Sequence, residues 1–445
     1  MADQSEAAAL IQSGAAYGRR VGWRSDSGAT VFTGFKPGGF SLYFDDSPFF
    51  HTDLEGRWQR ALIDGVHFLK GLDAGVVSID RIREGENLVL HRRSLPFAEA
   101  NDLDATVRAA ALELIERIQR GSLSRIEPAE SGVALATGDL LEMLDRIGAW
   151  DASAWFRHRE RYLGTYGPLP FLPAEAQQAV VLQATLGHPG PVAFGGAEPR
   201  EHYVRSPEEF AQHVRDVSAL LGRRVAQCRS VFLAGADVLH QPSHVVGAYL
   251  DIAGQAFRVD SNAPRLRMKD WKEEHHRLDG ILTLMDDFQP NLPRLSDWRR
   301  FRERDLLRVG LGVESGDPRI RALYGKSWPD QALGDLVADI KEAGISVSLL
   351  ILSGAGGIEN AERHLTATGN LVGSLDLGVG DHVYLLDDHE VGGASARDRL
   401  MSQGHTPFSP DAMEKRRRGL KSALTERLGP KRVKILTYLL EKQWA

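Results

Sequence analysis

A single cysteine, Cys228, sets the first limit on the chemistry of this 445-residue chain. One thiol makes no internal disulfide and no zinc ribbon, and no multi-thiolate metal site can be assembled from it. Its expected role is that of a small buried hydrophobe. Carboxylates are better placed. Asp286 and Asp287 close the apolar run GILTLMDDF, and Asp387 and Asp388 close DHVYLL, with His389 and Glu390 following. Acids paired at the ends of apolar runs can act as acid/base groups or metal ligands, or can cap helices and solvate loops. Histidines cluster twice, as His275 and His276 beside Glu273 and Glu274 in WKEEHHR, and as His240 and His244 in HQPSH. Adjacent histidines point apart on a helix or strand, and Pro242 disfavours a helix that would align His240 with His244. No metal site is therefore expected. GAGG at 354–357, ahead of NAERHLTA, has the form of a phosphate-cradling turn.

Several elements must hold these residues. Length alone implies two or three domains. ATVFTGF, FSLYF, RWQRALIDG and NLVLHRR are rich in β-branched and aromatic residues and separated by glycine turns, so 1–100 is expected to be a small antiparallel β domain. Its aromatics (Phe40, Tyr43, Phe49, Phe50, Trp58, Phe68) suit the inner face of a half-buried sheet. The segment 101–174 follows with helical spacing, Asp104 placed to cap ATVRAAALELIERIQR, and the linker-like TYGPLPFLP. Across 175–390, six near-continuous apolar runs alternate with helices, the pattern of a parallel sheet covered by helices. Right-handed crossovers would wind six such units into a partial (β/α)6 TIM-like barrel, although periodicity alone also allows an open doubly wound sheet. The remainder, 391–445, is expected to be a basic helical tail.

Hydrophobic residues make up 42%, charged residues 26%, and the net charge is −6. That balance argues against a nucleic-acid surface, and Lys415-Arg416-Arg417-Arg418 suits a solvated helix face. No apolar run spans a bilayer and MADQSEAAALIQSG lacks a secretion signal, so a cytoplasmic protein without membrane contact is expected.

The order of motifs in the barrel region resembles the radical SAM superfamily. VFLAGADVL is similar to its second strand, and VGLGVESGDPRIRALYGKSWP to its fourth strand and loop. IKEAGISVSLLILSGAGG is similar to its fifth. The fourth-strand motif is common in the branch that contains coproporphyrinogen dehydrogenase and the Elongator catalytic subunit. The resemblance implies a site for S-adenosylmethionine (SAM). Gly235, Ala236 and Asp237 would meet the ligand amine, although the family often has glycine where Ala236 stands. Glu314 and Ser315 would meet ribose or amine, Lys326 a carboxylate, and Ser353, Gly354 and Gly356 the adenine side. Glu314 would line the pocket at the carboxyl end of the fourth strand.

One feature of the family is missing. Its first loop carries three cysteines that hold a four-iron four-sulfur cluster, and here those positions fall on His188, Val192 and Gly195. Val192 or Phe194 is expected to fold toward the former cluster position, leaving His188 at the rim. Iron–sulfur clusters rest on cysteine thiolates, with imidazole as an occasional substitute. A cluster is thus not expected, and SAM is a candidate ligand without it. The resulting expectation is a degenerate, non-radical member with a SAM- or nucleoside-like pocket. It would bind a small molecule or peptide, or serve an active radical SAM paralogue or other enzyme as a partner subunit. The alternative is an enzyme with repurposed polar or metal-assisted chemistry at Asp286, Asp287, Asp387 and Asp388.

Overall fold

The computed structural model describes residues 19–45, 47–84, 87–127, 133–167, 172–187, 202–235, 237–262, 275–288, 292–387, 397–398 and 400–438. The N-terminal region is an antiparallel meander of β1 (Arg19–Ser25), β2 (Thr30–Lys36), β3 (Gly39–Phe44), β4 (Phe49–Asp53), β5 (Trp58–Ile63), β6 (Val66–Lys70), β7 (Val76–Glu84) and β8 (Asn87–Ser94). Two short strands, β9 (Leu123–Ile126) and β10 (Val133–Ala134), pair with β1. The hairpin between β5 and β6 turns on Asp64-Gly65, both at positive φ, the geometry whose twist matches the flanking strands.

Phe40, Leu42, Phe50 and Trp58 face inward and pack against α1 (Phe97–Gln119) and α2 (Thr137–Gly148) through Ala111, Leu114, Leu140 and Leu144. Asp104 is not the cap expected of it. The helix starts after Pro96, and Asp104 lies inside it, accepting bonds from Trp58 Nε1 at 2.6 Å and Lys70 Nζ at 2.9 Å. An exposed capping role lost to a buried charge pair that the linear sequence does not display.

After α3 (Ala152–Thr165) comes a parallel sheet of β11 (Ala179–Gln183), β14 (Ser230–Ala234), β15 (Ile281–Met285), β16 (Leu306–Glu314), β17 (Ser346–Leu352), β18 (His382–Leu386) and β19 (Lys434–Tyr438), side by side in chain order. Because the order never reverses, right-handed crossovers place all the helices on one face and the sheet winds in one direction, as a partial barrel. The open doubly wound alternative is thereby excluded. Strand residues alternate between two cores. Val347, Leu349 and Ile351 of β17 face the helical layer, whereas Leu350 and Leu352 join Tyr384, Leu386 and Tyr438 on the concave side.

A seventh strand replaces the six expected. KILTY of β19 extends the sheet beyond β18, register His382↔Lys434 to Leu386↔Tyr438. Its apolar spacing continues into LLEKQWA, which is why it was read with the helical tail; α10 (Pro410–Leu428) is the helix actually present there. Tyr438 donates its hydroxyl to the Leu172 carbonyl, tying the last strand to the segment that leads into the first.

The β domain docks on the amino end of the barrel. Arg57, held by Asp53 at 2.7 Å, donates to the carbonyls of Leu220 and Leu221 at 2.7 and 2.5 Å, the final residues of α4 (Pro207–Leu221). A guanidinium at a helix carboxyl terminus satisfies orphan carbonyls and complements the helix dipole. Gln59 and Gln227 exchange amide bonds of 2.7 and 2.9 Å across the same interface.

Candidate functional site at the carboxyl ends of the barrel strands

In parallel α/β barrels, side chains at the carboxyl ends of strands meet the ligand. Here those ends carry a chain of interacting charges. Glu314 is the last residue of β16 and adopts φ 55°, a left-handed conformation that a non-glycine residue holds only at some cost in strain. Its carboxylate lies 2.6 Å from Lys326 Nζ, and Lys326 also donates to Asp286 Oδ1 at 2.8 Å and to the Gly312 carbonyl at 2.8 Å. Asp286 directly follows β15, so two adjacent strands and one loop lysine meet at this point. Glycine at 312 is required by the arrangement: a Cβ there would sit 2.1 Å from Asp286 Oδ1 and 2.8 Å from Lys326 Nζ.

Burial governs the protonation of this group. Withdrawal from water pushes the Glu314 carboxyl up to about 7, against the opposing pull of Lys326, while Asp286 adds to the rise. Burial alone would lower Lys326, yet Asp286 and Glu314 together hold it above its ordinary value. Near neutrality Glu314 is therefore divided between its protonated and ionised forms, while Lys326 keeps its charge beside both acids. Asp286 is the accessible member, with its side chain 33% exposed against 7% for Glu314.

A second group lies at the first two strands. Asp237 is buried and accepts from Thr185 Oγ1 at 2.7 Å, and its other oxygen lies 2.5 Å from His202 Nε2. Thr185 and His202 come together because β12 (Thr185–Leu186) pairs with β13 (Tyr203–Val204), and β11–β14 pairing brings Asp237 beside them. Gly235, at φ 126°, makes the approach possible, since a Cβ there would lie 2.1 Å from Thr185 Oγ1. With Nε2 donating to a carboxylate, a neutral His202 ring keeps Nδ1 as an acceptor.

The other expected site residues are distributed differently. Ser315 turns away from Glu314, its hydroxyl 2.8 Å from His364 Nδ1 in a fully buried cluster with Thr368. Ser353 and Gly354 are buried in the turn after β17, and the Gly356 amide donates to Tyr324 Oη at 3.2 Å. Asp387 is paired with Arg417 of α10. Asp287 is exposed and accepts the amide of its own neighbour Phe288 at 2.7 Å. The former cluster positions His188, Val192 and Gly195, together with Phe194, Ala236 and Asp388, lie outside the described residues. The sequence reading missed His202, Thr185 and Gly312. Only the alternation in VGLGVE hinted at Gly312; nothing local pointed to His202, which is joined to Asp237 by strand pairing across 35 residues.

Among the described residues of this face, carboxylates outnumber cations. Asp237, Asp286, Asp287, Glu314 and Asp387 stand against Lys326 and Arg417, while Asp317 is held by Arg363. Among the described residues of this face, none fits an iron–sulfur cluster. Cys228, the chain's one thiol, precedes β14 at the opposite end of the barrel; it is buried, and burial pushes its thiol up to about 11. Among the described residues, no group of three His, Cys, Asp or Glu side chains is placed to hold a metal ion, and no helix is long and apolar enough to cross a membrane.

No protein-family model and no curated protein matches the sequence. Among solved structures, the chain is similar to coproporphyrinogen III oxidase (HemN) from Escherichia coli, described as a radical SAM enzyme, with 13% identity, TM-score 0.36, and coverage of 49% of this chain and 44% of that one. It is also similar to Streptococcus suis SuiB bound to S-adenosylmethionine, at 10% identity and TM-score 0.37 over 85% of this chain and 72% of the other. Archaeal Methanocaldococcus infernus Elp3 gives 13% identity and TM-score 0.35 over 58% and 55%. The chain thus spans less than half the length of the coproporphyrinogen oxidase.

Proposed function

We propose that this chain binds a small amine-bearing ligand of SAM or nucleoside type at the carboxyl-end face of its barrel, without cluster-dependent radical chemistry, and acts as a binding or partner subunit. The observation that carries this reading is the Asp286–Lys326–Glu314 group, two carboxylates sharing one amine, with Asp286 open to solvent. A ligand ammonium there would favour the ionised form of Glu314, giving two cations for two carboxylates. The motif resemblance supports a SAM-like ligand, and the single cysteine stands against a cluster. Calorimetric titration with SAM, S-adenosylhomocysteine and adenosine tests it. Wild-type protein should take up at least one of the three at one site per chain, and Asp286→Asn should weaken that binding at least tenfold. Absence of saturable binding by all three sinks the reading.

A second reading, polar acid–base chemistry at the same face, rests on the His202–Asp237 pair. A carboxylate-oriented imidazole with a free acceptor nitrogen is the form of a general base. Turnover of a ligand found in the first experiment, lost in His202→Gln with binding intact, would select it. Turnover that survives the substitution would remove it.

A further inference from the structure

A cleft of about 960 Å³ lies at the other end of the barrel, between strands β2 to β6 of the N-terminal sheet and the amino ends of β11, β14 and β15. Its lining carries six cationic side chains, Lys36, Arg60, Lys70, Arg224, Arg229 and Arg277, against two carboxylates, Asp260 and Asp279. Lys70 is neutralised by Asp104 behind the wall. The arginines are not: among the described residues, Arg60, Arg224, Arg229 and Arg277 make no ion pair and no side-chain hydrogen bond.

Like charges gathered in a low-dielectric concavity repel one another and raise the local concentration of anions. Arg224 is the most deeply placed of these arginines. Burial lowers its pKa, an effect that Asp53, already bonded to Arg57, opposes and Arg57 reinforces, with Cys228 and Tyr166 adding smaller opposition. The same lining includes the apolar and aromatic side chains of Leu72, Tyr162, Tyr166, Val181 and Leu221. A concavity of this size suits a ligand of small-molecule dimensions, with apolar walls for its body and a few polar groups fixing its orientation.

We propose that this cleft binds a small anion with an apolar or aromatic body, its phosphate or carboxylate group held by Arg224 with Arg60 and Arg229. The site is separate from the carboxyl-end face and stands or falls independently of it. The two sources of the anionic group share one recognition chemistry, since guanidinium binds phosphate and carboxylate alike in a planar fork.

Fluorescence titration of the whole protein with 8-anilinonaphthalene-1-sulfonate, an anion on an aromatic body, tests the proposal. Saturation at one site per chain is expected. Arg224→Gln should weaken it at least tenfold, and Arg60→Gln and Arg229→Gln, whose side chains are exposed and so leave the fold intact, several-fold each. Arg299→Gln, the same charge change on a remote helix, should leave the affinity unchanged. Competition by phenyl phosphate but not phenylacetate assigns the ligand as a phosphate, the reverse as a carboxylate, and competition by both supports the shared class. Cys228 lines the cleft, so alkylation of the one thiol should slow when the site is filled. No saturable site, competition by neither compound, or wild-type affinity in folded Arg60→Gln and Arg229→Gln would each overturn the proposal.

Discussion

Among the described residues, the two ends of the barrel carry opposite charge and treat it differently. At the carboxyl end, acids predominate and are bound into local groups: Glu314 and Asp286 share Lys326, Asp387 has Arg417, and Asp237 has Thr185 and His202. At the amino end, among the described residues, cations predominate in the cleft lining, and Arg60, Arg224, Arg229 and Arg277 make no ion pair. Self-paired charges hold a fold in one arrangement, because removing either partner leaves the other buried and uncompensated. Unpaired charges contribute little to the fold and are available to a ligand. The same residue class thus has two meanings, and substitution should separate them.

The largest difference should appear at Lys326. Lys326→Met strips the partner from two carboxylates, and a loss of about 3–5 kcal/mol is expected for breaking a buried pair. Urea denaturation would show it as a fall in midpoint. A cost below about 1 kcal/mol would mean that the group contributes no more than an exposed ion pair does.

Next in size is a pH effect. The folded-state pKa of Glu314, near 7, exceeds its ordinary 4.5, so the folded chain binds more protons than the unfolded chain between those values. Stability from this group is fully present below pH 4.5 and is lost as pH rises through about 7, with a slope of at most about 1.4 kcal/mol per unit. Glu314→Gln should flatten the profile in that window. An unchanged slope would show that Glu314 stays ionised throughout.

Gly312→Ala should cost about 1–3 kcal/mol, since the added methyl must displace an ion-paired carboxylate. The smallest effect belongs to the amino end: Arg60→Gln should alter stability by no more than about 0.5 kcal/mol, as surface changes without partners do. A clear loss at Arg60 would erase the contrast between the two ends.

Much of this molecule was legible in the sequence, and the limits of that reading are physical. The strands AVVLQ, SVFLA and SVSLLIL declared themselves because a parallel strand buried on both faces is apolar throughout. The start of α4 follows from local chemistry, where Pro207 is the first helical residue and the Ser206 hydroxyl accepts from the Glu209 amide while Glu209 reciprocates. The short KILTY strand was absorbed into the helical tail, because five apolar-leaning residues carry too little periodicity to separate strand from helix. Asp104 was misread for another reason: its partners, Trp58 and Lys70, lie 46 and 34 residues away. At the site, Glu314, Lys326 and Asp286 were each singled out from sequence, but their union was not. The pairing of β15 with β16 creates it, along with a glycine that admits both carboxylate and amine. The amino-end cleft was invisible, since its arginines come from separate segments: Arg224 and Arg229 before β14, Arg277 before β15, and Arg60 from the docked β domain.

The central claim is that the barrel's carboxyl-end face takes up an amine-bearing ligand with no cluster beside it. The most direct test is anaerobic incubation of the whole protein with iron, sulfide and SAM, followed by desalting and measurement of iron and SAM in the same sample. The account predicts SAM retained at about one per chain, iron at background, and loss of SAM in Asp286→Asn. Four irons per chain with the broad thiolate absorption near roughly 400 nm, or SAM retention indifferent to Asp286, would contradict it.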